Sequence, residues 1–314
     1  MDSVRRIADA VLYEGYILWP YRKSSLKNQR RWSFGSLYPA GGSEESVMQT
    51  ECLLEGGEDA TAKVTLRFLQ LVERQAYRGS EPVDELQVDD ERHLSWEEAA
   101  EREVSAAADL RSSRRVLIEI PAGRSRQELG PGAAVVRSWR ALRGTVDISV
   151  ERLRSELVRL SVRIQNTTPS EAGDRERCAF RSTHTVLAAQ GGRFVSLTDP
   201  PEELRAEAEQ CENIGTWPVL AGEEEDRSVI LSSPIILPDH PQIAPESPGD
   251  LFDATEIDQM LVLNILSLTD DEKREMRDSD PRAREILERT ESLNEEQLMR
   301  LHGAIREFGL VRRT

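Results

Sequence analysis

The stretch that decides the fold is Val158-Arg-Leu-Ser-Val-Arg-Ile164, in which apolar residues alternate with polar ones. Alternation with a period of two is typical of a β-strand that buries one face and exposes the other to solvent. The same pattern occurs upstream at Val146, Ile148 and Val150, with Gly144-Thr145 as a candidate break. These two runs predict strands of a β-rich domain.

A further apolar alternation changes parity part-way along its length. Val64, Leu66 and Phe68 share one face of a predicted strand, and the pattern then shifts to Leu69 and Leu71. One extra residue at that point, a β-bulge, would return the apolar side chains to the inner face. We therefore predict a bulge where the parity changes.

Turn residues separate many short predicted strands. Asn166-Thr-Thr-Pro169 ends one apolar run, and Gly191-Gly192 is expected to join two strands as a tight hairpin. Many strands with few helices between them favour an antiparallel β sandwich or barrel over a βαβ fold. The remaining strands are predicted at residues 10–19, 46–54, 115–120, 135–143, 180–189, 193–198 and 227–236.

Two helices are predicted to interrupt the strands. The first spans roughly 95–110, where Ser95 and Glu98 form a capping box. The second runs from about 200 to 211 and has Asp199 as its N-cap. The predicted fold class is therefore α+β, mainly an antiparallel β sandwich or barrel with a helical C-terminal region.

Proline density marks the end of the β-rich part. Five prolines fall between residues 234 and 248, and they predict a stiff, extended connector. Helix starts follow at the capping boxes Asp253–Glu256 and Thr269–Glu272, at Pro281 and at Asn294. The predicted domains are a β-rich, sandwich-like domain at 1–235, a proline-rich connector at 236–250 and a helical C-terminal region at 251–314.

Composition excludes several classes of protein. The 314 residues include 41 Lys and Arg against 57 Asp and Glu, and the net charge of −16 opposes general nucleic-acid binding because phosphate is repelled. No apolar run approaches the ~20 residues of a membrane span, and the N-terminus lacks the apolar core of a secretory signal. Three widely spaced cysteines, Cys52, Cys178 and Cys211, argue against a disulfide framework. We expect a cytoplasmic protein without membrane insertion.

The charge is unevenly distributed along the chain. Residues 1–35 carry seven basic and three acidic side chains, a net charge of +4, so the rest of the chain carries −20. Residues 13–35 also hold three of the five tyrosines and two of the five tryptophans, and Trp, Tyr and Arg are enriched at binding hot spots. This segment is therefore predicted to dock an anion or a protein partner, unless its rings fill the core and its cations pair with the chain's own acids. The candidate partner-binding and anion-binding residues are Tyr16, Trp19, Tyr21, Arg22, Lys27, Arg31 and Trp32.

Candidate metal ligands come together in the proline-rich connector. Asp239 and His240 are followed by Glu246, and nickel or iron would accept such oxygen and imidazole donors. The alternative is a solvated loop whose acids keep it extended. His184, on a predicted strand, could line an open end of the sandwich or be a satisfied structural residue. Cys52 is interpreted as buried and structural, because a nucleophilic cysteine needs a neighbouring base.

Short motifs along most of the chain carry a family resemblance. They are Leu12-Tyr-Glu-Gly-Tyr16, Trp19-Pro-Tyr-Arg22, Lys27-Asn28, Arg31-Trp32, Met48-Gln-Thr-Glu-Cys52 and Gly249-Asp-Leu-Phe-Asp-Ala-Thr-Glu-Ile-Asp258. In these motifs the chain resembles an uncharacterised bacterial protein family encoded within [NiFe]-hydrogenase gene clusters. The resemblance implies a hydrogenase-associated accessory role and no particular activity.

The leading hypothesis is a non-catalytic accessory or interaction protein that serves [NiFe]-hydrogenase assembly or maturation. It would act by protein–protein docking, and its partner would be a hydrogenase subunit or a maturation factor. One alternative is a metallochaperone that binds nickel or iron at Asp239, His240 and Glu246. The other is a small-molecule enzyme with a site at one end of the β sandwich, built from Arg22, Arg31, His184 and Asp199.

Overall fold

The computed structural model describes residues 2–13, 33–89, 91–169, 174–242, 264–279 and 281–293. The chain forms two compact units, and the described part of the first ends at Gln242 while that of the second starts at Asn264. Among the described helices, none combines the length and apolar character that crossing a bilayer requires. The predicted helix starts at Asp253–Glu256 and Asn294 lie outside the described residues.

The first unit is built on an antiparallel β-sheet. Strands make up 53% and helices 18% of the structure, which confirms the predicted combination of mainly antiparallel β-structure with some helix. Within the described residues, eleven strands form one sheet that curls into a half-barrel, and β3 and β4 form a separate pair. A sandwich of two sheets is not confirmed. The strands are β1 (Val47–Arg78), β2 (Glu81–Val83), β3 (Glu85–Val88), β4 (Glu91–Leu94), β5 (Trp96–Asp109), β6 (Arg114–Ile120), β7 (Gly123–Gly130), β8 (Ala133–Trp139), β9 (Leu142–Arg154), β10 (Leu157–Asn166), β11 (Arg181–Phe194), β12 (Trp217–Leu220) and β13 (Val229–Ser233).

Strand β1 is 32 residues long and connects the parts of the sheet. One of its edges pairs with β10 and then β5, and the other pairs with β11 and then β8. Glu55 is paired with Leu157 of β10 and also with Arg193 of β11. Strands β10 and β11 must therefore lie on opposite edges of β1. From β1 the sheet continues through β11 and β13 to β12 on one side, and through β10 and β9 to β6 on the other.

Alternating apolar residues fill the inside of the curl. The runs at Val158–Ile164 and Val146–Val150 place their apolar members in one core cluster, together with Phe68 of β1. Phe68 stacks on Phe180, with 4.5 Å between the ring centroids. The alternation in the sequence therefore identified the core strands correctly, because it reflects one buried and one solvated face.

The predicted bulge in β1 is confirmed, but its consequence differs from the expectation. The register between β1 and β11 shifts between Arg67 and Leu69, whereas the pairing of β1 with β5 runs through these residues without a shift. Leu69 and Leu71 do not rejoin the inner core. They pack against Leu12 of helix α1 (Asp2–Tyr13), which covers them.

The helix predicted over 95–110 is wrong, because these residues form strand β5. This strand pairs with β1 along its whole length, and Ala106 and Ala108 pack into or against the inner core. The hydroxyl of Ser95, expected to cap a helix, instead donates to the Val83 carbonyl oxygen at 2.6 Å. Sheet pairing has overridden a local sequence rich in Ala, Glu and Arg, which favour helices.

Several predicted turns and strand ends are also corrected. Gly191-Gly192 lies within β11 and forms no hairpin. A Cβ on Gly192 would lie 2.8 Å from the Glu55 carbonyl oxygen, so the glycine allows β11 and β1 to approach closely. The strand predicted at 193–198 ends at Phe194, and the one at 135–143 is divided between β8 and β9. Residues 10–13 belong to helix α1, and the rest of the strand predicted there lies outside the described residues.

Gly144 lies inside strand β9, so the break predicted at Gly144-Thr145 is wrong. A Cβ on Gly144 would lie 2.6 Å from the Gln165 carbonyl oxygen and 2.9 Å from the Phe180 ring. Any side chain here would displace the adjacent strand or the stacked ring. The glycine is therefore needed for close packing and not for a turn.

Short helices follow β10 and β11 in the first unit. A 3-10 turn at Glu176–Cys178 precedes β11. The helix predicted at about 200–211 is confirmed in shorter form, as a 3-10 turn at Glu202–Leu204 followed by helix α2 (Arg205–Glu209). Leu204 and Ala208 pack against Leu53 of β1. This contact attaches the helical segment to the sheet.

The described part of the second unit is helical, as predicted. Helix α3 (Asp270–Ser279) starts at the predicted capping box: the Glu272 carboxylate accepts the Thr269 N–H at 3.0 Å, and the Thr269 hydroxyl accepts the Glu272 N–H at 3.3 Å. Helix α4 (Pro281–Glu291) begins at the predicted proline. Buried side chains of the two helices, among them Met276 and Leu287, form this unit's own apolar cluster.

Candidate functional site

The docking segment predicted from the sequence lies almost wholly outside the described residues. Only its ends, Tyr13 and residues 33–35, belong to the described part, and the Tyr13 hydroxyl donates to Glu101 of β5 at 2.7 Å. The structure therefore places none of its predicted binding residues. These are Tyr16, Trp19, Tyr21, Arg22, Lys27, Arg31 and Trp32.

Arginines of the described sheet commonly pair with acids of the same chain. Arg137 donates to Glu98 at 2.7 Å, and Arg177 reaches both Glu73 and Glu97. One interpretation of residues 13–35 assumes the same for their cations, namely that they form ion pairs with acids of this chain and do not bind a partner. Because Arg22 and Arg31 lie outside the described residues, both interpretations of that segment stay open.

The candidate metal ligands Asp239 and His240 close one edge of the sheet. Asp239 accepts the main-chain N–H of Leu220 at 2.8 Å with one oxygen and the Ser196 hydroxyl with the other. The His240 N–H donates to the Leu220 carbonyl oxygen at 2.7 Å. Both carboxylate oxygens of Asp239 thus already accept a hydrogen bond. Glu246, the third predicted ligand, lies outside the described residues.

The described residues contain no further candidate metal centre. In the part of the chain that the structure describes, no three His, Cys, Asp or Glu side chains are grouped so that they could hold a metal ion. The cysteines are not paired with one another: Cys52 and Cys178 are buried, and Cys211 is half-buried. Burial raises the pKa of the Cys52 thiol, so it stays protonated and unreactive at neutral pH. This agrees with the structural role predicted for it.

His184 lies in a buried polar layer beneath helix α1. It is opposite Arg67 in the pairing of β11 with β1, and Arg67 donates to Asp9 of α1 at 2.6 Å. The Nδ1 atom of His184 lies 2.9 Å from the Ser182 carbonyl oxygen. Because a carbonyl oxygen only accepts hydrogen bonds, Nδ1 carries the proton.

Burial holds His184 in its neutral form. It lowers the pKa of His184 to about 4, and the neighbouring Arg67 charge acts in the same direction. The other ring nitrogen, Nε2, has no hydrogen-bond partner within the described residues. No hydrogen bond or ion pair among those residues connects His184 with Asp199, which is exposed. The structure therefore shows no direct contact of these kinds between the two described members of the predicted enzyme site, His184 and Asp199.

An open cleft lies where two glycine-containing segments meet. Its volume is about 670 Å³, and Gly56, Gly192 and the turn between β9 and β10 line it. Arg154 at its rim donates to Glu207 of α2 and to the Glu203 carbonyl oxygen. The charged lining is thus partly neutralised by contacts within the chain.

Apolar side chains are exposed at one end of the β12–β13 pair. Trp217 of β12 is 46% exposed and is paired with Ser233 of β13. Ile214 precedes Trp217 by three residues and is 41% exposed, and Ile236 follows Ser233 by three residues and is 72% exposed. We call these three residues, Ile214, Trp217 and Ile236, the apolar patch. Among large apolar residues of the described chain, only Leu117 of β6 is exposed besides them.

Comparison with known proteins adds no relative. No protein-family model matches the chain, and no curated protein matches it either.

The sequence analysis did not single out the apolar patch. Its three residues are separated by only 22 positions, but an exposed Trp and a buried one look alike in a single sequence. One feature of the sequence could have indicated it. Proline within a sheet is confined to edge strands, so Pro218 indicates that Trp217 lies on an edge strand, where side chains are less covered.

Proposed function

We propose that this chain is a non-catalytic accessory protein that acts by docking a protein partner. The observation that supports this proposal is the apolar patch. It contains Trp217, and tryptophan is one of the residue types enriched among interface hot spots. Ile214 and Ile236 lie in the segments that flank the Trp217–Ser233 end of the β12–β13 pair, and exposed apolar residues that occur together are typical of interaction sites.

The position of the patch supports a rigid docking surface. Thr216, next to Trp217, is buried, and its hydroxyl lies 2.8 Å from that of Ser232 on β13. The Ser232 hydroxyl in turn lies 2.7 Å from that of Thr50 on β1. The patch is therefore carried by strands tied to the centre of the sheet, so little conformational freedom is lost on binding.

The charge of the chain indicates the kind of partner surface. With a net charge of −16, the protein attracts a partner that surrounds an apolar pocket with basic residues. The segment 13–35, with its local positive charge, would contact an acidic region of the same partner. By the family resemblance, we propose that this partner is a subunit or maturation factor of a [NiFe] hydrogenase.

The test is affinity purification from a host that produces a [NiFe] hydrogenase. The wild-type chain should retain a hydrogenase subunit or maturation factor, and Trp217→Ser should lose most of it while keeping its thermal stability. Arg205→Ser is the control, because it also removes a large, half-exposed side chain but lies on α2, outside both the apolar patch and strand β6. Equal recovery of the partner with Trp217→Ser and wild type would contradict the proposal.

The cationic segment is tested in the same experiment. Replacing Arg22 and Arg31 with Ala should lower partner recovery and leave the melting temperature unchanged if the segment docks the partner. A lower melting temperature with unchanged recovery would show that these cations serve the fold instead.

A further inference from the structure

The two terminal strands of the curled sheet are protected differently. At β12, the main chain of Ala221 faces β13, because its N–H donates to the Val229 carbonyl oxygen. By alternation, Pro218 and Leu220 face outward. Pro218 has no N–H to offer, and the outward N–H and C=O of Leu220 are bonded to Asp239 and His240. This edge is closed to further strands.

In the part of the chain that the structure describes, strand β6, at the opposite end of the path, has neither a proline nor a side chain or loop bonded to its outward main chain. The Thr167 N–H donates to the Arg143 carbonyl oxygen, so Arg143 faces β10 and not β6. Glu119 lies opposite Arg143, and its main chain therefore faces away from β9, as do those of Leu117 and Arg115 by alternation. Within the described residues, β9 is the only strand that pairs with β6. Three residues thus present N–H and C=O groups along an open edge.

The side chains of these three residues are exposed as well. Leu117 is 62% exposed, the side chain of Arg115 is 67% exposed, and Glu119 is exposed. The strand contains neither proline nor lysine, and its charged residues, Arg114, Arg115 and Glu119, carry both signs, so a strand of matching charge is not repelled. An open, regular edge with an exposed leucine is a template for pairing with another strand.

The order of the three residues makes the edge complementary to itself. In an antiparallel pair of two β6 strands centred on Leu117, Arg115 of each copy lies opposite Glu119 of the other, and the two leucines meet at the centre. The outward N–H and C=O groups of all three residues are then paired across a two-fold axis. Opposite charges placed directly across a strand pair stabilise it, and like charges destabilise it.

We propose that two copies of this chain associate through β6, antiparallel and centred on Leu117, and so join their sheets into one continuous sheet. The proposal is independent of the partner-docking function, since it uses the opposite end of the sheet path from β12. Arg115 already pairs with Asp147 of β9, and Glu119 lies opposite Arg143. Across the dimer axis the charged residues would therefore follow in the order Asp147, Arg115, Glu119 of the second copy and Arg143 of the second copy, with opposite charges next to each other.

The first test measures self-association of the full chain by analytical ultracentrifugation over a range of concentrations. Wild type should show a monomer–dimer equilibrium that weakens as salt rises, because the charge pairs are exposed to solvent. Arg115→Glu places two like-charge contacts across the axis and should raise the dimer dissociation constant about 10- to 100-fold. Arg205→Glu is the control, since Arg205 is also exposed and paired with an acid but lies on α2. A wild-type chain that is monomeric throughout would overturn the proposal.

The second test uses charge complementation. Arg115→Glu presents two acids at the edge, and Glu119→Arg presents two bases, so neither variant should dimerise alone. Mixed in equal amounts they should form a heterodimer, because every contact across the axis is again between opposite charges. Both variants should keep the wild-type circular dichroism spectrum and a cooperative melting transition. Failure of the mixture to associate, with both chains folded, would overturn the proposal.

Discussion

The neutral state of buried His184 makes a specific prediction about stability and pH. Its pKa is about 4 in the folded protein, against 6.5 for an unburied histidine. Between these values the unfolded chain binds a proton that the folded chain does not, so the free energy of unfolding falls as the pH falls from 6.5 towards 4. At pH 7.5 both states are neutral, and the full stability is present.

The expected loss of stability can be measured at pH values above the isoelectric point of the protein. Between pH 7.5 and pH 5.5, linkage with these two pKa values removes about 1.3 kcal/mol from the free energy of unfolding. The lower limit of pH 5.5 stays above the sequence isoelectric point of about 4.9, near which proteins lose solubility. His184→Gln abolishes this titration and keeps an amide that can donate to the Ser182 carbonyl oxygen.

The assay is urea denaturation of wild type and His184→Gln at both pH values and at one fixed protein concentration. Carboxylates titrate equally in the two proteins, so the difference between their pH dependences isolates His184. Wild type should lose about 1.3 kcal/mol more than the variant. His240→Gln, at a half-buried position, controls for removal of a histidine as such. Equal pH dependences, or an NMR titration of His184 near pH 6.5, would refute the reasoning.

Three further substitutions test individual contacts. Gly144→Ala should lower the free energy of unfolding by about 2 kcal/mol or more, because its Cβ would overlap the neighbouring strand and ring; a tolerated alanine in urea titrations would contradict the close approach. Asp239→Ala should cost about 1–3 kcal/mol, since it leaves a strand-edge N–H without its acceptor, and added Ni²⁺ should not alter the stability of either protein. Thr269→Ala should cost about 1 kcal/mol and speed amide exchange in helix α3 alone; unchanged exchange there would argue against the capping box.

The sequence predicted those elements in which local pattern and tertiary environment agree. The alternation at Val158–Ile164 marks a strand with one buried face, and the capping box at Thr269–Glu272 marks a helix start that depends only on neighbouring residues. The change in the apolar alternation after Phe68 also predicted the bulge correctly, because the bulge lies in the same strand as the residues that indicate it. It did not predict that Leu69 would be covered by helix α1, because that contact joins residues distant in the chain.

The failures occur where distant partners decide the outcome. Residues 96–109 have the composition of a helix, and they form a strand because β1 offers them a complete row of hydrogen bonds. Gly144 and Gly191-Gly192 suggested turns, but they serve close contacts between strands. Likewise the hydrogen bonds of Asp239 to Ser196 and to β12 join residues that are far apart in the sequence, so the sequence alone did not indicate them. In each case the deciding neighbour is far away in the sequence.

The length of β1 has a consequence for synthesis on the ribosome. Strand β1 pairs with β10, for example Cys52 with Leu160, and with β11, for example Val64 with Leu187. In both pairings the partners are more than a hundred residues apart in the sequence. At ~5–20 residues per second, β1 waits roughly 5–25 s after translation before these partners are made. During that interval the first part of β1, residues 47–55, has both edges open and is available to chaperones or to other nascent chains, whereas residues 61–78 can already pair with β5 and β2. We expect this protein to depend on co-translational protection more than its final stability would suggest.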